Sequence, residues 1–185
     1  MERVLVTGAG GFVGARILAL LGDRLELVTL PAGALRDAGE EAVERLVADA
    51  APEAILHTAA ISDTGYCEQH PEEPFRANVE LPVWLAKAAR RAGAKLVAFS
   101  SDQVYAGLEG PGPFDEAAPL RPANVYGRHK REAEQRVLEA LDTAVLLRAT
   151  WMYDLPGGGY FGSGGTITGS SPATTAPLPR AARTG

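Results

Sequence analysis

The sequence lacks several features that mark particular classes of protein. It has one cysteine, Cys67, which cannot form an internal disulfide, and no apolar run approaches the roughly 18 residues that a membrane-spanning helix needs. The net charge is −5 and basic residues are nowhere concentrated, which argues against nucleic acid as a partner. Met1 leads almost directly into an apolar segment, with no room for a signal peptide. We therefore expect a cytoplasmic protein with no membrane partner, no nucleic-acid partner and no metal site.

The chain divides by composition into a long ordered part and a short tail. Its 185 residues, 46% of them hydrophobic, suffice for one sizeable domain. From residue 156 onwards the sequence is mostly glycine, proline, serine and threonine, with no acidic residue and no periodicity. Such a segment buries too little apolar surface to offset the entropy of ordering it. We predict one domain over residues 1–154 and a poorly packed tail over residues 155–185.

Apolar strand patterns alternate with helical ones along the ordered part. The predicted strands are residues 4–6, 25–30, 54–60, 95–101 and 144–150. The predicted helices follow the first glycines, cover residues 40–50 and 74–92, and start at residue 124, with residues 62–70 as a loop. Pro82 predicts a kink in the third helix, and Gly93 a left-handed cap at its end. The alternation predicts an α/β fold: three layers, with a doubly wound parallel sheet and helices on both faces.

A glycine-rich segment lies where the first strand turns into the first helix. Gly8 permits a tight exit from the strand, Gly11 lets a phosphate approach the backbone, and Gly14 lets the helix lie close to the sheet. The helix start offers N–H groups and a positive dipole end to an anion. The spacing G-x-x-G-x-x-G differs from the commoner G-x-G-x-x-G, but its position after a strand and before a helix favours a dinucleotide site.

Further residues at the carboxyl ends of the strands are predicted to contact the dinucleotide. The full predicted cofactor set is Gly8, Gly10, Gly11, Phe12, Val13, Gly14, Asp37, Thr58, Ala59, Ala60, Asn78, Ser100, Tyr126 and Lys130. The second strand ends in Leu30-Pro31 rather than in an acidic residue, and Arg36 and Asp37 are the nearest polar side chains. The choice between NADP and NAD therefore stays open.

Three side chains form the predicted catalytic set. Tyr126 and Lys130 lie four residues apart on one helix, so they share a face. A tyrosine with its usual pKa of about 10 transfers protons poorly near neutrality unless a cation such as Lys130 stabilises its phenolate. Ser101, at the end of the fourth strand, is placed to hydrogen-bond a carbonyl oxygen. This set would protonate an oxygen while a nicotinamide delivers hydride to the carbon.

The glycine loop, the strand that ends in two serines and the Tyr-x-x-x-Lys helix occur in the order of the short-chain dehydrogenase/reductase superfamily, which the chain resembles. Segments 57–60, 100–105 and 124–130 are similar to the dTDP-4-dehydrorhamnose reductases, over about residues 2–154. The resemblance implies a Rossmann-type NAD(P)-binding domain and reduction of a 4-keto group on a nucleotide-linked deoxysugar. It also implies that Asn78 supports Lys130 through water, and it leaves a homodimer open.

The chain departs from that family in three places. Gln103 stands where the reductases often have an aromatic residue, the acid after the second strand is missing, and the pattern stops near residue 154, before a substrate domain would follow. We hypothesise a truncated or frame-shifted chain whose activity is reduced or lost. A 4,6-dehydratase is disfavoured because Asp102-Gln103 replaces the Asp-Glu pair that elimination needs. A 4-epimerase and a non-catalytic dinucleotide-binding or regulatory module stay open, while His57 and Cys67 are interpreted as structural.

Overall fold

The computed structural model describes residues 1–110 and 112–152, so the predicted tail over residues 155–185 lies outside the described residues. The strands are β1 (Arg3–Thr7), β2 (Glu26–Thr29), β3 (Ala54–His57), β4 (Lys95–Ser101) and β5 (Val145–Ala149). The α-helices are α1 (Phe12–Leu21), α2 (Glu40–Ala50), α3 (Thr64–Gln69), α4 (Glu72–Phe75), α5 (Leu81–Ala92) and α6 (Val125–Ala140). A π-helical segment (Arg76–Glu80) joins α4 to α5, and a 3-10 turn (Asp102–Tyr105) follows β4.

The five strands form one parallel sheet in the order β2-β1-β3-β4-β5, which confirms the predicted fold class. The chain leaves β1 in one direction to reach β2 and crosses back to reach β3. The connections after β1 and β3 therefore diverge at the carboxyl edge of the sheet. A crevice at such a switch point is where open α/β sheets bind their ligands.

The helices cover the two faces unequally. Because connections between parallel strands are right-handed, α1 lies on one face, while α2, α5 and α6 lie on the other. The main core includes Leu5 and Ile55 of the sheet together with Val47, Leu85 and Val137 of the three packed helices. On α1 only Gly14 is buried. The apolar spacing of Ala133, Val137, Leu138 and Leu141 predicts one buried face of α6, and this is wrong for Leu138, which is exposed because it lies on the outer side of the helix.

Two helical segments differ from the sequence prediction. Residues 62–70 are not a loop, because Asp63 caps a short helix by accepting a hydrogen bond from the Tyr66 N–H at 2.8 Å. The predicted helix over residues 74–92 is interrupted: the Leu81 N–H bonds to Arg76, five residues back, and Pro82 then begins α5. Gly93 ends α5 at φ +66°, as predicted. No helix in the described part of the chain is long and apolar enough to cross a membrane.

Candidate active site

The glycine loop makes a sharp turn between β1 and α1. Gly8 has φ +76°, and a Cβ on it would lie 2.7 Å from the Ala59 nitrogen. A Cβ on Gly14 would lie 2.3 Å from the Gly8 oxygen, so the first turn of α1 packs directly on the loop. A Cβ on Gly10 would meet nothing within 4 Å, and one on Gly11 would meet only the Gly8 oxygen, at 3.3 Å. The loop is therefore tight against the protein at Gly8 and Gly14 and open at Gly10 and Gly11.

The start of α1 forms one wall of a cavity of about 540 Å³ at the carboxyl edge of the sheet. Gly11 is the N-cap, and the first turn carries no acidic side chain. Thr58 and Ala60 continue the wall from β3, and the Thr58 hydroxyl donates to the Thr7 carbonyl at 2.8 Å. This wall combines a positive helix end with small side chains, which suits a phosphate-bearing ligand.

The predicted catalytic residues line the same cavity. Ser101, Tyr126 and Lys130 are all buried and all face it. The Lys130 Nζ donates to the Phe99 carbonyl at 2.8 Å and lies 5.8 Å from the centre of the Tyr126 ring. The Ser101 hydroxyl donates to the Asp102 carboxylate at 3.2 Å and accepts the Gln103 N–H at 3.2 Å. β4 and α6 thus bring a hydroxyl, a phenol and an ammonium together.

Burial shifts the pKa values of both titratable members of this set. Burial raises the pKa of Tyr126 to about 12, and a hydrogen bond with Ser101 opposes that rise. Burial lowers the pKa of Lys130 to about 8, while the negative charge of Glu134 acts in the opposite direction. At neutral pH the phenol therefore keeps its proton and Lys130 is mostly charged, which is the state in which a tyrosine donates a proton.

Polar contacts that the sequence did not reveal hold the start of α6. The Asn124 side chain caps the helix by accepting the Gly127 N–H at 2.7 Å, and it donates to the Gln103 side-chain oxygen at 2.7 Å. Glu68 of α3 accepts the Val125 N–H at 2.6 Å. The residue just before Tyr126 is thus fixed by a carboxylate from the helix that the sequence prediction missed.

A buried ion pair beneath the site was also missed. Glu134 is 4% exposed, and it accepts two hydrogen bonds from the Arg148 guanidinium, at 2.7 Å from Nη2 and 3.0 Å from Nε. The Ser100 hydroxyl donates to the same carboxylate, and the Arg148 guanidinium also donates to the Tyr105 hydroxyl. Glu134 lies one helical turn beyond Lys130, a spacing that could have indicated it.

The predicted cofactor residues fall into two groups. Those that line the cavity are Gly11, Phe12, Val13, Thr58, Ala60, Ser100, Tyr126 and Lys130. Those that do not line it are Gly8, Gly10, Gly14, Asp37, Ala59 and Asn78. Asp37 is exposed in the loop after β2, where Arg76 donates to the flanking carbonyls of Arg36 and Ala38. Its contact with a cofactor stays a prediction.

Three buried residues behave as parts of the structure. Asn78 is 1% exposed, and its amide accepts from the Ile61 N–H and donates to the Ile61 carbonyl, both at 2.9 Å, so it is not an exposed helical residue. His57 is buried, with its Nδ1 2.7 Å from the Thr7 hydroxyl, and burial lowers its pKa to about 3. The Cys67 thiol donates to the Ile61 carbonyl, and burial raises its pKa, which makes it a poor nucleophile.

Proteins that are similar to this chain include dTDP-4-dehydrorhamnose reductases. The dTDP-4-dehydrorhamnose reductase of Streptomyces griseus is 38% identical over 157 residues, which are 84% of this chain and 51% of that protein. The crystal structure of dTDP-4-dehydrorhamnose reductase from Bacillus anthracis in complex with NADP is 29% identical, with a TM-score of 0.77, over 82% of this chain and 54% of that one.

A second similar structure is that of an enzyme with a different activity. The UDP-glucose 4-epimerase of Thermus thermophilus in complex with NAD is 28% identical, with a TM-score of 0.69, over 80% of this chain and 54% of that one. The chain spans about half the length of the curated relatives it matches. The profile of the family described as the RmlD substrate binding domain matches residues 1–163, which include the glycine loop and all three predicted catalytic residues. The chain therefore belongs to the RmlD substrate binding domain family.

Proposed function

We propose that this chain carries the cofactor site and the proton donor of an NAD(P)H-dependent oxidoreductase of the dTDP-4-dehydrorhamnose reductase type, which reduces a 4-keto group on a nucleotide-linked deoxysugar. The observation that carries the proposal is one cavity with the glycine loop on one wall and Ser101, Tyr126 and Lys130 on another. The reductase names of the relatives support the choice of substrate class.

The residues of the cavity wall that is formed by the glycine loop and the start of α1 fit a dinucleotide. Gly10 and Gly11 leave space for a close approach to the backbone, and the acid-free first turn of α1 favours a pyrophosphate. The predicted domain over residues 1–154 would hold NADP or NAD; the relatives include a reductase with NADP and an epimerase with NAD. We assign the cofactor contacts to the predicted residues that line the cavity, with Gly8 and Gly14 shaping the loop.

The three residues of the catalytic wall, Ser101, Tyr126 and Lys130, then have separate roles in the reduction. When bound, the reduced nicotinamide supplies a hydride to the carbonyl carbon. Ser101 donates a hydrogen bond to the carbonyl oxygen and orients it towards Tyr126. Tyr126, with a pKa of about 12, holds a proton at neutral pH and donates it to that oxygen. The Lys130 ammonium, near the Tyr126 ring, stabilises the phenolate that this transfer leaves behind.

A 4-epimerase is the second candidate, because the same three side chains could serve it and a solved epimerase has the same fold. The two reactions differ in whether reduced cofactor is consumed: a reductase uses one NAD(P)H per product, whereas an epimerase restores its cofactor. A purely binding or regulatory module would have no use for the three catalytic residues together. The consumption of NAD(P)H therefore distinguishes the reductase from the other two candidates, and epimerised product distinguishes the epimerase from a binding module.

The first experiment is titration of the purified chain with NADPH and NADH, followed by nicotinamide fluorescence. Gly11→Asp places a carboxylate at the start of α1 and should abolish saturable binding. Gly39→Asp is the matched control, because Gly39 is the N-cap of α2 with nearly the same extended backbone and a Cβ there meets nothing within 4 Å. Equal binding by both variants would refute the cofactor site.

The second experiment measures NAD(P)H oxidation with dTDP-4-keto-6-deoxysugars. Tyr126→Phe should bind cofactor normally and lose about 10² to 10⁴-fold of the rate. Cofactor binding without NAD(P)H oxidation by the wild-type chain would show that it is not a reductase on its own. Epimerised product without net oxidation would favour the second candidate.

A further inference from the structure

A second, much smaller cavity touches Lys130 from inside the protein. Its volume is about 10 Å³, and its polar lining consists of His57, Asn78, Ser100, Lys130 and Glu134. A single ordered water needs roughly 10–15 Å³ and two to four polar partners. Lys130 and Ser100 line both this chamber and the large cavity of the candidate active site, so they separate the two.

One residue on the wall of this chamber carries a polar atom that has no partner within the described residues. His57 is 2% exposed, and its Nδ1 is occupied by the Thr7 hydroxyl. Its Nε2 is fully buried and has no hydrogen bond within the described residues. Leaving such a nitrogen unsatisfied costs about 1–3 kcal/mol. A buried nitrogen without a partner, in a residue that lines a water-sized chamber, indicates a ligand.

The other polar groups on the wall are already engaged. The Asn78 amide bonds to the Ile61 main chain, Ser100 donates to Glu134, and Glu134 also accepts from Arg148. Lys130 uses one of its three N–H groups on the Phe99 carbonyl. Among these polar groups His57 Nε2 is the atom that has no hydrogen bond within the described residues, and Lys130 has two further N–H groups to offer a guest.

The charges in the chamber select a neutral guest. The Lys130 ammonium disfavours a cation, the Glu134 carboxylate disfavours an anion, and the volume admits nothing larger than water. We propose that this chamber is the site of one structural water held between His57 Nε2 and the Lys130 ammonium, and that His57 is, through this water, a positioning residue for Lys130. The water site is independent of the proposed reaction, whereas its use in catalysis rests on the proposed function.

The first test is direct observation. A crystal structure of the full chain near 1.5 Å resolution should show one water within hydrogen-bonding distance of both His57 Nε2 and Lys130 Nζ. A dry chamber in the wild-type protein would overturn the proposal, whether or not the chain turns over a sugar.

The second test measures the effect on Lys130. The chain has only three lysines, so NMR of the Lys Cε groups over pH 6–10 can follow Lys130, assigned by its loss in Lys130→Met. The groups that face Lys130 are Tyr126 and Glu134 on α6, His57 on β3, and Arg148 on β5 through Glu134. The charged and titratable neighbours other than His57 stay the same in the variants of His57, and the His57 ring is itself uncharged over this pH range, so a change in the Lys130 pKa reports the water.

Three variants distinguish the effect of the water on the pKa of Lys130 from the effect of the packing of the His57 ring. His57→Phe keeps a ring but no polar atom, and it should lower the pKa of Lys130 by about half a unit or more, because water no longer solvates the ammonium. His57→Gln places an amide near the position of Nε2 and should restore the wild-type value. Thr7→Val removes only the contact of Nδ1 and should leave the pKa unchanged.

Every outcome decides a part of the proposal. A Lys130 pKa that is equal in the wild-type protein, His57→Phe and His57→Gln would refute the positioning role, even with a water present. If His57→Phe does not fold, the wild-type crystal structure still decides the water, and loss of that water in a folded His57→Gln would refute the assignment of Nε2 as its partner.

Discussion

Replacing Lys130 with methionine is expected to stabilise the fold at neutral pH. The side chain is 4% exposed, and burial lowers its pKa from 10.5 to about 8. This lowering of the pKa corresponds to about 3 kcal/mol by which burial of the ammonium destabilises the native state. Methionine removes the charge but leaves the Phe99 carbonyl without its partner, which costs about 1–2 kcal/mol. The net gain should be about 1–2 kcal/mol at pH 7.

The dependence on pH has a definite sign. Between pH 8 and 10.5 the unfolded chain keeps the Lys130 proton and the folded chain has lost it, so the stability of the wild-type protein rises with pH. Above pH 10.5 both states are neutral and the destabilisation is absent. Below pH 8 both states are charged and the destabilisation is fully present. The stability of Lys130→Met should not rise in this way. The amount by which the variant is more stable than the wild type should therefore shrink between pH 8 and 10.5, and above pH 10.5 the wild type should be the more stable protein.

The assay is urea denaturation of both proteins at pH 6, 7, 8, 9 and 10, with the slope of free energy against urea checked for equality. The quantity that counts is the difference between the two proteins at each pH, because other groups that titrate are common to both. A difference in free energy of unfolding between the two proteins that stays constant from pH 7 to pH 10 would refute the reasoning. So would a variant less stable than the wild type at pH 7 by more than about 1 kcal/mol, since the hydrogen bond would then outweigh the burial of the charge.

Three further predictions concern stability and binding. Gly14→Ala should destabilise the protein by about 2 kcal/mol or more and abolish NAD(P)H binding, because its Cβ would lie 2.3 Å from a carbonyl oxygen; Gly39→Ala, whose Cβ meets nothing within 4 Å and lies outside the candidate site, should do neither in the same denaturation and fluorescence assays. Glu134→Gln should cost about 2–4 kcal/mol in urea denaturation, because it leaves the guanidinium of β5 unpaired, whereas Glu132→Gln in an exposed pair should cost less than about 0.5 kcal/mol. Asp63→Ala should cost about 1 kcal/mol by thermal denaturation, and no change would mean that the cap does not stabilise α3.

The architecture could be predicted from the sequence because each strand and each long helix has its own pattern of apolar residues. The runs at residues 95–101 and 40–50 predicted the bounds of β4 and α2 as the structure has them. The helix α3 was missed because six residues are too few for an amphipathic pattern, and its signal is one capping aspartate. The exposure of Leu138 was missed because an apolar residue at nearly helical spacing looks like a core residue from the sequence alone.

The candidate site was predictable only where its residues follow strand ends or share a helix face. Ser101 ends β4, and the spacing from Tyr126 to Lys130 places both on one side of α6, so order and spacing brought the three together. Contacts between segments distant in sequence carry no such signal. The hydrogen bond from Val125 to Glu68 joins residues 57 positions apart, and the ion pair between Glu134 and Arg148 depends on how α6 lies over β5.

The two shifted pKa values limit the pH range in which the site can work. In water a tyrosine and a lysine lose their protons at nearly the same pH, about 10 and 10.4. In this protein burial moves the two groups apart, to about 12 for Tyr126 and about 8 for Lys130. As the pH rises, the ammonium that stabilises the phenolate is therefore lost before the phenol ionises. The basic limit of turnover should lie near pH 8 and report Lys130, since Tyr126 still holds its proton well above that pH.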